Sequence, residues 1–267
     1  YSDYAKNKDS KREVQEVRDY ISRVKGFKKI TIIYREENFG LANSIVAGVT
    51  EVVNKYGKII VLEDDIVTSP FFLKFMNDAL DFYQENNTVW HISGWNYPIN
   101  QDKIEDVFLW RLMNCWGWAT WKKEWSFFEK NTDLMMTKFN KKDIHKFNLD
   151  GSENFWKQIL QNKSNEINSW AIFWYATIFL NKGLCLNPSK TFVLNIGHDG
   201  SGVHCDINSN FNDSHSLRGD INLNCENIEN KIALDRIQKF YKTHKINIFI
   251  RVINKISRLT LGSNIIN

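Results

Sequence analysis

Hydrophobic positions in the first part of the chain alternate between helical spacing and short continuous runs. Apolar residues that recur every three or four positions predict amphipathic helices, and short apolar or β-branched runs predict strands. The predicted helices cover residues 11–24, 41–56 and 70–85, and the predicted strands cover residues 29–34, 58–62 and 89–93. Helix and strand therefore alternate, which is typical of an α/β fold.

A strand, a crossover helix and a second strand form a βαβ unit, and its two strands run parallel. The segment 58–62 (KIIVL) is an apolar run of the kind found in the middle of a parallel sheet. We therefore expect a mostly parallel sheet flanked by helices, with ligands beyond the carboxyl ends of its strands. Glu63, Asp64 and Asp65 follow this run directly, where a ligand would bind.

The second half of the chain has fewer regular patterns. Seven of the ten tryptophans lie between Trp90 and Trp125. A helix is predicted over residues 170–180, one or two short strands over 184–194, and a loop over 195–215, which is rich in Gly, Ser, Asn and Asp.

The C-terminal segment, residues 244–267, has a basic amphipathic pattern. On a helical wheel one face is apolar (Ile246, Phe249, Ile250, Ile253, Ile256) and the opposite face is basic (Arg251, Lys255, Arg258). This pattern suits a helix that lies on an anionic membrane surface. A terminal helix that docks on the domain with its basic side in water explains the pattern equally well.

Composition indicates a folded protein and excludes several classes. Of 267 residues 43% are hydrophobic, and only three are proline, so a disordered or collagen-like chain is excluded. No apolar stretch approaches the roughly 18 residues that a membrane-spanning helix needs. The net charge of +4 is too small to indicate a nucleic-acid partner.

The four cysteines lie far apart without a CxxC pair, which predicts neither a zinc site nor a disulfide framework. We therefore expect a reduced, cytoplasmic location, with peripheral contact to the inner face of the membrane if the C-terminal helix binds lipid. The chain starts at Tyr1 without a methionine, so we expect a fragment that lacks its natural start.

The three adjacent acids at residues 63–65 predict a metal site. Unpaired carboxylates at the end of a buried strand are costly, so a cation should offset them. Mg²⁺ and Mn²⁺ prefer oxygen ligands and commonly bridge carboxylates to substrate phosphates. Alternation along the chain would send Glu63 and Asp65 one way and Asp64 the other. The alternative is a solvated acidic turn before the next helix, with Ser69 as its N-cap.

Six short motifs occur in order along the chain: residues 35–44 (REENFGLANS), 48–52 (GVTEV), 61–65 (VLEDD), 93–95 (SGW), 115–121 (CWGWATW) and 195–205 (NIGHDGSGVHC). Together they resemble GT-A glycosyltransferases, and more narrowly family 2 bacterial sugar transferases with a domain related to N-acetylglucosaminyltransferase I. The resemblance extends from Tyr1 to about Cys205.

The resemblance implies an inverting transferase that uses a nucleotide-diphosphate sugar and Mn²⁺ or Mg²⁺. In the family pattern the middle acid contacts the nucleoside and the last acid holds the metal. Asp64 and Asp65 take those roles in this sequence, with Glu63 in support. His204, in the glycine-rich loop, matches a position that reaches the metal or the diphosphate, and His198 is its competitor.

The resemblance also implies a nucleotide pocket near the start of the chain. Residues 1–3 (YSD) resemble the end of the family's second strand, where an aspartate, here Asp3, reads the base. The first strand would then be absent from this chain. Arg35 and Gly40 would border the pocket, although Arg35 could instead pair with Glu36 or Glu37.

Inversion requires a general base, normally Asp or Glu, and here the sequence departs from the family pattern. The expected position, counted back from Gly183, falls on residues 168–171 (NSWA), which contain no carboxylate. Asp150, Glu153 and Glu166 lie upstream, and Glu153 is preferred because Phe155 and Trp156 follow it. An exposed, purely structural role remains the alternative for each acid.

The tryptophan-rich segment suits a sugar-binding wall, because flat aromatic faces stack on the C–H faces of pyranose rings. Ordinary core packing explains most of these tryptophans. Trp116 and Trp118, which flank Gly117, are the two predicted to face the acceptor.

The sequence thus predicts an enzyme that transfers a hexosyl or N-acetylhexosaminyl group to a glycan or lipid-linked acceptor in surface polysaccharide synthesis. The expected divisions are a GT-A domain (1–205), a closing loop and helix (206–243) and the basic extension (244–267). A nucleotidyltransferase acting on a sugar phosphate is one alternative. A catalytically inactive glycan-binding domain is the other.

Overall fold

A five-stranded mixed sheet and a separate two-stranded sheet carry the helices of an α/β fold in the computed structural model, which describes residues 1–8, 10–197 and 215–244. The strands are β1 Lys58–Val61, β2 Ile66–Thr68, β3 Val89–Ser93, β4 Val107–Trp110, β5 Trp118–Trp121, β6 Leu184–Pro188 and β7 Val193–Asn195. The helices are α1 Lys11–Ile21, α2 Gly40–Tyr56, α3 Phe72–Phe82, α4 Lys122–Trp125, α5 Thr132–Lys138, α6 Lys141–Phe147, α7 Trp156–Lys163, α8 Ala171–Leu180 and α9 Lys231–His244.

The prediction of a mostly parallel sheet is wrong. The strand order in the larger sheet is β1-β5-β3-β6-β4, and only β3 and β6 pair in parallel. Strand β5 pairs antiparallel with both β1 and β3, and β4 pairs antiparallel with β6. Strands β1, β3 and β6 point in the same direction. Strand β5 lies between β1 and β3 and is antiparallel to both.

Strand β1 occupies an edge of this sheet within the described residues, and not the middle that its apolar run predicted. Its first three residues are only half-buried, and Val61 is its one buried residue. An apolar run by itself therefore did not distinguish an edge strand from a central one.

The predicted strand at residues 29–34 is also wrong. Only an isolated parallel bridge forms there, between Ser2 and Tyr34. Ser2 N donates to Ile33 O at 2.8 Å, and Arg35 N donates to Ser2 O at 3.0 Å. A strand requires a ladder of such bonds, and within the described residues the ladder stops after these two.

The predicted helices at residues 11–24, 41–56, 70–85 and 170–180 are confirmed as α1, α2, α3 and α8, with ends that shift by one to three residues. Gly57 ends α2 in the left-handed region at φ 81°, and its N–H donates to Val53 O. Glycine is favoured there because a side chain would strain that conformation. Because only Gly57 separates α2 from β1, the helix and the strand run antiparallel.

The later predictions are confirmed in part. Strands β6 and β7 form within residues 184–194, and β7 extends to Asn195. Most of the predicted loop at 195–215, including His198 and His204, lies outside the described residues, and so does the basic extension after His244. In the part of the chain that is described, no helix is long and apolar enough to cross a membrane.

Aromatic side chains dominate the core around β3, β5 and α8. The Trp118 ring stacks on Trp170 with centroids 5.2 Å apart and on His91 at 5.3 Å. Trp125 packs against Trp174 at 4.9 Å. Of the seven tryptophans between Trp90 and Trp125, all but Trp116 are buried, so core packing accounts for most of this cluster.

Two glycines make a close backbone contact where β3 ends and β5 begins. Gly94 N donates to Gly117 O at 2.6 Å, and the fully buried Phe72 lies against both residues. A Cβ on Gly94 would lie 2.6 Å from Phe72 Cε2 and 2.9 Å from Gly117 O. Gly117 has φ 62°, and a Cβ there would lie 3.0 Å from Val193 Cγ1. Neither position has room for a side chain.

We expect Gly94→Ala to lower the free energy of unfolding by about 2–3 kcal/mol, because the added methyl overlaps a buried ring and a backbone oxygen. Gly57→Ala is the matched control, since a Cβ there meets nothing within 4 Å and only the left-handed conformation opposes it, at about 1 kcal/mol. Urea denaturation of both variants measures the difference. Equal losses would show that the Gly94–Gly117 contact has room to relax.

Candidate functional site

Glu63, Asp64 and Asp65 form a turn between β1 and β2, which we name the acid turn. Ile66 N donates to Glu63 O at 3.3 Å to close it. Glu63 and Asp65 are half-buried and Asp64 is exposed, so the first and third acids face away from bulk solvent more than the second. The acids thus lie beyond the carboxyl end of β1, as predicted.

The carboxyl group of Glu63 is held in surroundings that disfavour its negative charge. Burial, followed by the charges of Asp65 and Asp64, raises the pKa of Glu63 to about 7. A bound cation would reverse this effect because it favours the ionised form. The acid turn is therefore electrostatically incomplete without a positive partner.

Pairing of β2 with β7 brings the segment Asn195–Gly197 onto the acid turn. Ile66 is opposite Asn195 in the register, and Ile196 N donates to Asp65 O at 2.9 Å. The buried Asn195 accepts the Gly197 N–H at 2.7 Å. A Cβ on Gly197 would lie 2.6 Å from Asp65 Oδ2, so the glycine permits direct contact between this backbone and the carboxylate.

Two motifs that are far apart in the sequence are therefore in contact: the acid turn and the start of the 195–205 motif. The predicted ligand His204 and its competitor His198 belong to this second motif but lie outside the described residues. Among residues 1–8, 10–197 and 215–244, no group of three or more His, Cys, Asp or Glu side chains is arranged to hold a metal ion.

Asp3 lies at the N-terminus of α2. Its Oδ2 accepts the N–H of Gly40 at 2.9 Å, and its Oδ1 accepts the N–H groups of Phe39 and Tyr4, each at 3.0 Å. A carboxylate is favourable here because the first N–H groups of a helix lack partners within the helix. Asp3 therefore has a structural role at the start of α2, and its predicted role in reading a base stays a prediction.

Arg35 stacks on aromatic rings instead of pairing with a neighbouring acid. Its guanidinium lies 4.0 Å from the Phe39 ring centroid and 5.5 Å from that of Tyr1. Its Nε is buried and has no hydrogen-bond partner. Arg35 forms no ion pair with either Glu36 or Glu37, all three of which are described, so that alternative is wrong.

The Asp3–Arg35–Gly40 group and the acid turn lie toward the same end of the larger sheet. Helix α2 packs against β1, and Gly57 alone connects the two elements, so the chain reverses direction there and the start of α2 points toward the end of the sheet where the acid turn lies.

An aromatic cavity of about 350 Å³ lies next to this end of the sheet. The half-buried Trp116 lines it, and its ring meets Trp95 edge-on with centroids 4.6 Å apart. The neighbouring Gly117 contacts Leu62, since a Cβ there would lie 3.3 Å from Leu62 Cδ2. Leu62 directly precedes Glu63, so the cavity begins close to the acid turn. Its wall comprises Trp95, Tyr97, Leu112, Met113, Asn114, Cys115, Trp116, Phe155, Gln158, Ala171, Ile172, Tyr175 and Tyr241.

Trp118, the second residue predicted to face an acceptor, does not line this cavity. Its side chain is 0% exposed and stacks between other aromatic rings of the core. Side chains alternate along a strand, and Trp118 is the first residue of β5 with its ring on the core side. We therefore retain Trp116 alone for acceptor contact.

The two predicted general bases lie in different surroundings. The exposed Asp150 pairs with Arg111 at 3.3 Å and accepts a hydrogen bond from Gln238 Nε2 at 2.9 Å. Glu153 is half-buried, accepts the Asn154 N–H at 2.8 Å, and precedes Phe155 on the cavity wall by two residues. Burial raises the pKa of the Tyr241 hydroxyl, and the charge of Glu153 raises it further, so Glu153 lies close to the cavity.

Several residues of this region could not be assigned from the sequence. Asn195 and Gly197 belonged to a recognised motif, but their contact with Asp65 depends on β-sheet pairing. Asn114 and Tyr241 carry no local signal, since they reach the cavity from a loop and from α9.

Comparison with models of protein families gives no match to this chain, and comparison with curated proteins gives none either.

We expect the metal-free protein to lose stability as the pH rises from about 4.5 to about 7. The folded state holds the Glu63 proton more tightly than the unfolded chain does, so the stability it contributes is complete below pH 4.5 and lost above the raised pKa of about 7. Thermal unfolding in EDTA across this range, compared with Glu63→Gln, measures the effect. Glu13→Gln on α1 is the control, and a wild-type melting temperature that parallels Glu63→Gln at every pH would contradict the prediction.

Proposed function

We propose that this chain is a GT-A-type, family 2-like glycosyltransferase that moves a sugar from a nucleotide-diphosphate donor to a glycan or lipid-linked acceptor with inversion. The observation that supports this proposal best is the contact of the acid turn with Asn195–Gly197 beside an aromatic cavity. Two carboxylates would suit a metal ion and its diphosphate, and a flat aromatic wall would suit an acceptor sugar.

The chemistry of the acid turn fits Mn²⁺ or Mg²⁺. Such ions use one or two carboxylates together with substrate phosphates, and Asp65 and Glu63 supply two half-buried carboxylates. Burial and the charges of Asp65 and Asp64 raise the pKa of Glu63, and a bound cation would favour its ionised form. Asp65 would hold the ion, with Glu63 in support and His204 as a further proposed ligand. When bound, the ion would neutralise charge on the departing diphosphate.

On the donor side, Asp3, Arg35, Gly40 and Asp64 would contact the nucleotide. The guanidinium of Arg35 is held over the Phe39 and Tyr1 rings, and its N–H groups suit a phosphate or a nucleobase oxygen. Asp64 is exposed and accessible. These contacts would orient the donor so that its anomeric carbon faces the cavity.

On the acceptor side, Trp116 would stack on the sugar that receives the transfer. The acceptor hydroxyl oxygen attacks the anomeric carbon while the bond from that carbon to the diphosphate oxygen breaks. The hydroxyl proton passes to a carboxylate, for which we propose Glu153, two residues before Phe155 on the cavity wall. Nucleoside diphosphate is then the leaving group.

A glycan-binding domain without catalysis is the second candidate function. The aromatic cavity supports it independently, because stacking on Trp116 needs neither a metal nor a nucleotide. Measurements of donor turnover separate the two candidates.

With Mn²⁺ and a panel of nucleotide-diphosphate sugars, we expect release of nucleoside diphosphate. Asp65→Asn should lower turnover at least about 100-fold, because a charged metal ligand contributes several kcal/mol. Gly197→Ala should also lower turnover, since its methyl would overlap Asp65 Oδ2. Product analysis by anion-exchange chromatography provides the measurement.

Asp78→Asn is the matched control, since Asp78 lies on α3 in an exposed pair with Lys74. It should keep wild-type turnover. Release of pyrophosphate would instead indicate a nucleotidyltransferase, and glycan binding without any turnover would indicate the binding domain.

Glu153→Gln should lower kcat by about 10²-fold or more with little change in donor affinity, because a general base acts on the proton of the acceptor. Asp150→Asn should keep kcat and cost at most about 1 kcal/mol of stability through its pair with Arg111. Steady-state kinetics with a donor and acceptor pair test both variants. The reverse pattern would assign the base to Asp150.

A further inference from the structure

One amide group in the aromatic cavity has no partner. Asn114 lines the cavity and is only 8% exposed, and its side-chain nitrogen is buried without a hydrogen-bond acceptor. Buried polar groups are almost always paired. A ligand carbonyl that reaches this nitrogen from the cavity would complete its hydrogen bonding.

The position of Asn114 is fixed by a buried histidine. His91 Nδ1 accepts the indole N–H of Trp174 at 3.2 Å, so the proton on His91 Nε2 is the one that faces Asn114 O at 3.0 Å. Burial lowers the pKa of His91 to about 3, so the ring stays neutral and keeps this arrangement. The backbone of Asn114 is thus held in place before any ligand binds.

The hydroxyl groups on the rest of the wall are already satisfied. The Tyr97 and Tyr241 hydroxyls bond to each other, which joins α9 to the cavity. The Tyr175 hydroxyl donates to Phe147 O at 2.9 Å. Asn114 and Gln158 are the two amide side chains on the wall, and aromatic or aliphatic groups provide most of its remaining surface.

This wall selects among sugars by its chemistry. A 2-acetamido sugar differs from its parent only at C2, where the parent presents a hydroxyl that aromatic rings cannot pair with. An acetamido group presents an apolar methyl to the aromatic wall and a carbonyl that can accept from an amide N–H. The volume of about 350 Å³ lies in the range of small-molecule sites.

We propose that the cavity is a subsite for a 2-acetamido sugar of the acceptor, and that Asn114 determines this specificity by donating its side-chain N–H to the acetamido carbonyl. The assignment of this sugar to the acceptor rests on the proposed glycosyltransferase function. The preference for the acetamido group rests on the cavity alone.

Tryptophan fluorescence titration tests the preference directly, because Trp95 and Trp116 line the cavity. The probes are the methyl glycosides of N-acetylglucosamine and N-acetylgalactosamine, compared with those of glucose and galactose. We expect at least one acetamido glycoside to bind about tenfold more tightly than its parent, as one added buried hydrogen bond permits.

Asn114→Leu should remove this preference and leave the affinity for the parent glycosides within about twofold. It is expected to fold, because replacing an unpaired buried amide by an apolar side chain of similar size removes a desolvation cost. If it does not fold, Asn114→Asp replaces the N–H donor at the same size. Protection of Cys115, also on the wall, from alkylation by the bound glycoside localises the binding.

Equal affinity for acetamido and parent glycosides, no binding of either at high millimolar concentration, or an unchanged preference in Asn114→Leu would each overturn the inference. Donor turnover with Mn²⁺ is measured on the same preparation. Turnover without the preference would refute this subsite alone, whereas the preference without turnover would refute catalysis and leave an acetamido-sugar-binding domain.

Discussion

The close approach of Gly94 and Gly117 over the Phe72 ring is the contact on which the candidate site depends. It joins the end of β3 to the start of β5 by a 2.6 Å hydrogen bond. Gly94 O in turn accepts the N–H of Phe192 at 2.7 Å, which sets the start of β7. Gly117 lies against Leu62, just before the acid turn. A side chain at Gly94 would overlap the Phe72 ring and Gly117 O, and one at Gly117 would crowd Val193 and Leu62.

The candidate site has two parts with opposite physical character. The acid turn concentrates negative charge in half-buried positions, and the raised pKa of Glu63 shows that its surroundings oppose this charge. The adjoining cavity is lined by aromatic rings whose hydroxyls are mostly paired. A charged diphosphate suits the first part once a cation is present, and a sugar suits the second. Their adjacency, more than either part alone, is the basis of the proposed transfer.

Periodicity predicted the helices well and the sheet poorly. Helical bonds are local, so α2 and α3 could be located from apolar spacing and from the glycine that ends α2. Strand direction and position depend on partners elsewhere in the chain. The apolar run before the acid turn therefore looked like a central parallel strand, although β5 places it at an edge and antiparallel. The β-branched run at residues 29–34 failed as a strand for the same reason.

The sequence by itself determined the helix positions, the acids at the end of β1 and the tryptophan-rich segment, because each depends only on residues that are neighbours in the chain. Only the tertiary structure decided that Gly197 touches Asp65, that Trp118 is core while Trp116 faces the cavity, and that Arg35 stacks on rings instead of pairing with its neighbours. It also brought Tyr241 of α9 and the unpaired Asn114 to one wall. These outcomes depend on sheet pairing and packing between distant segments, and local pattern carries no information about either.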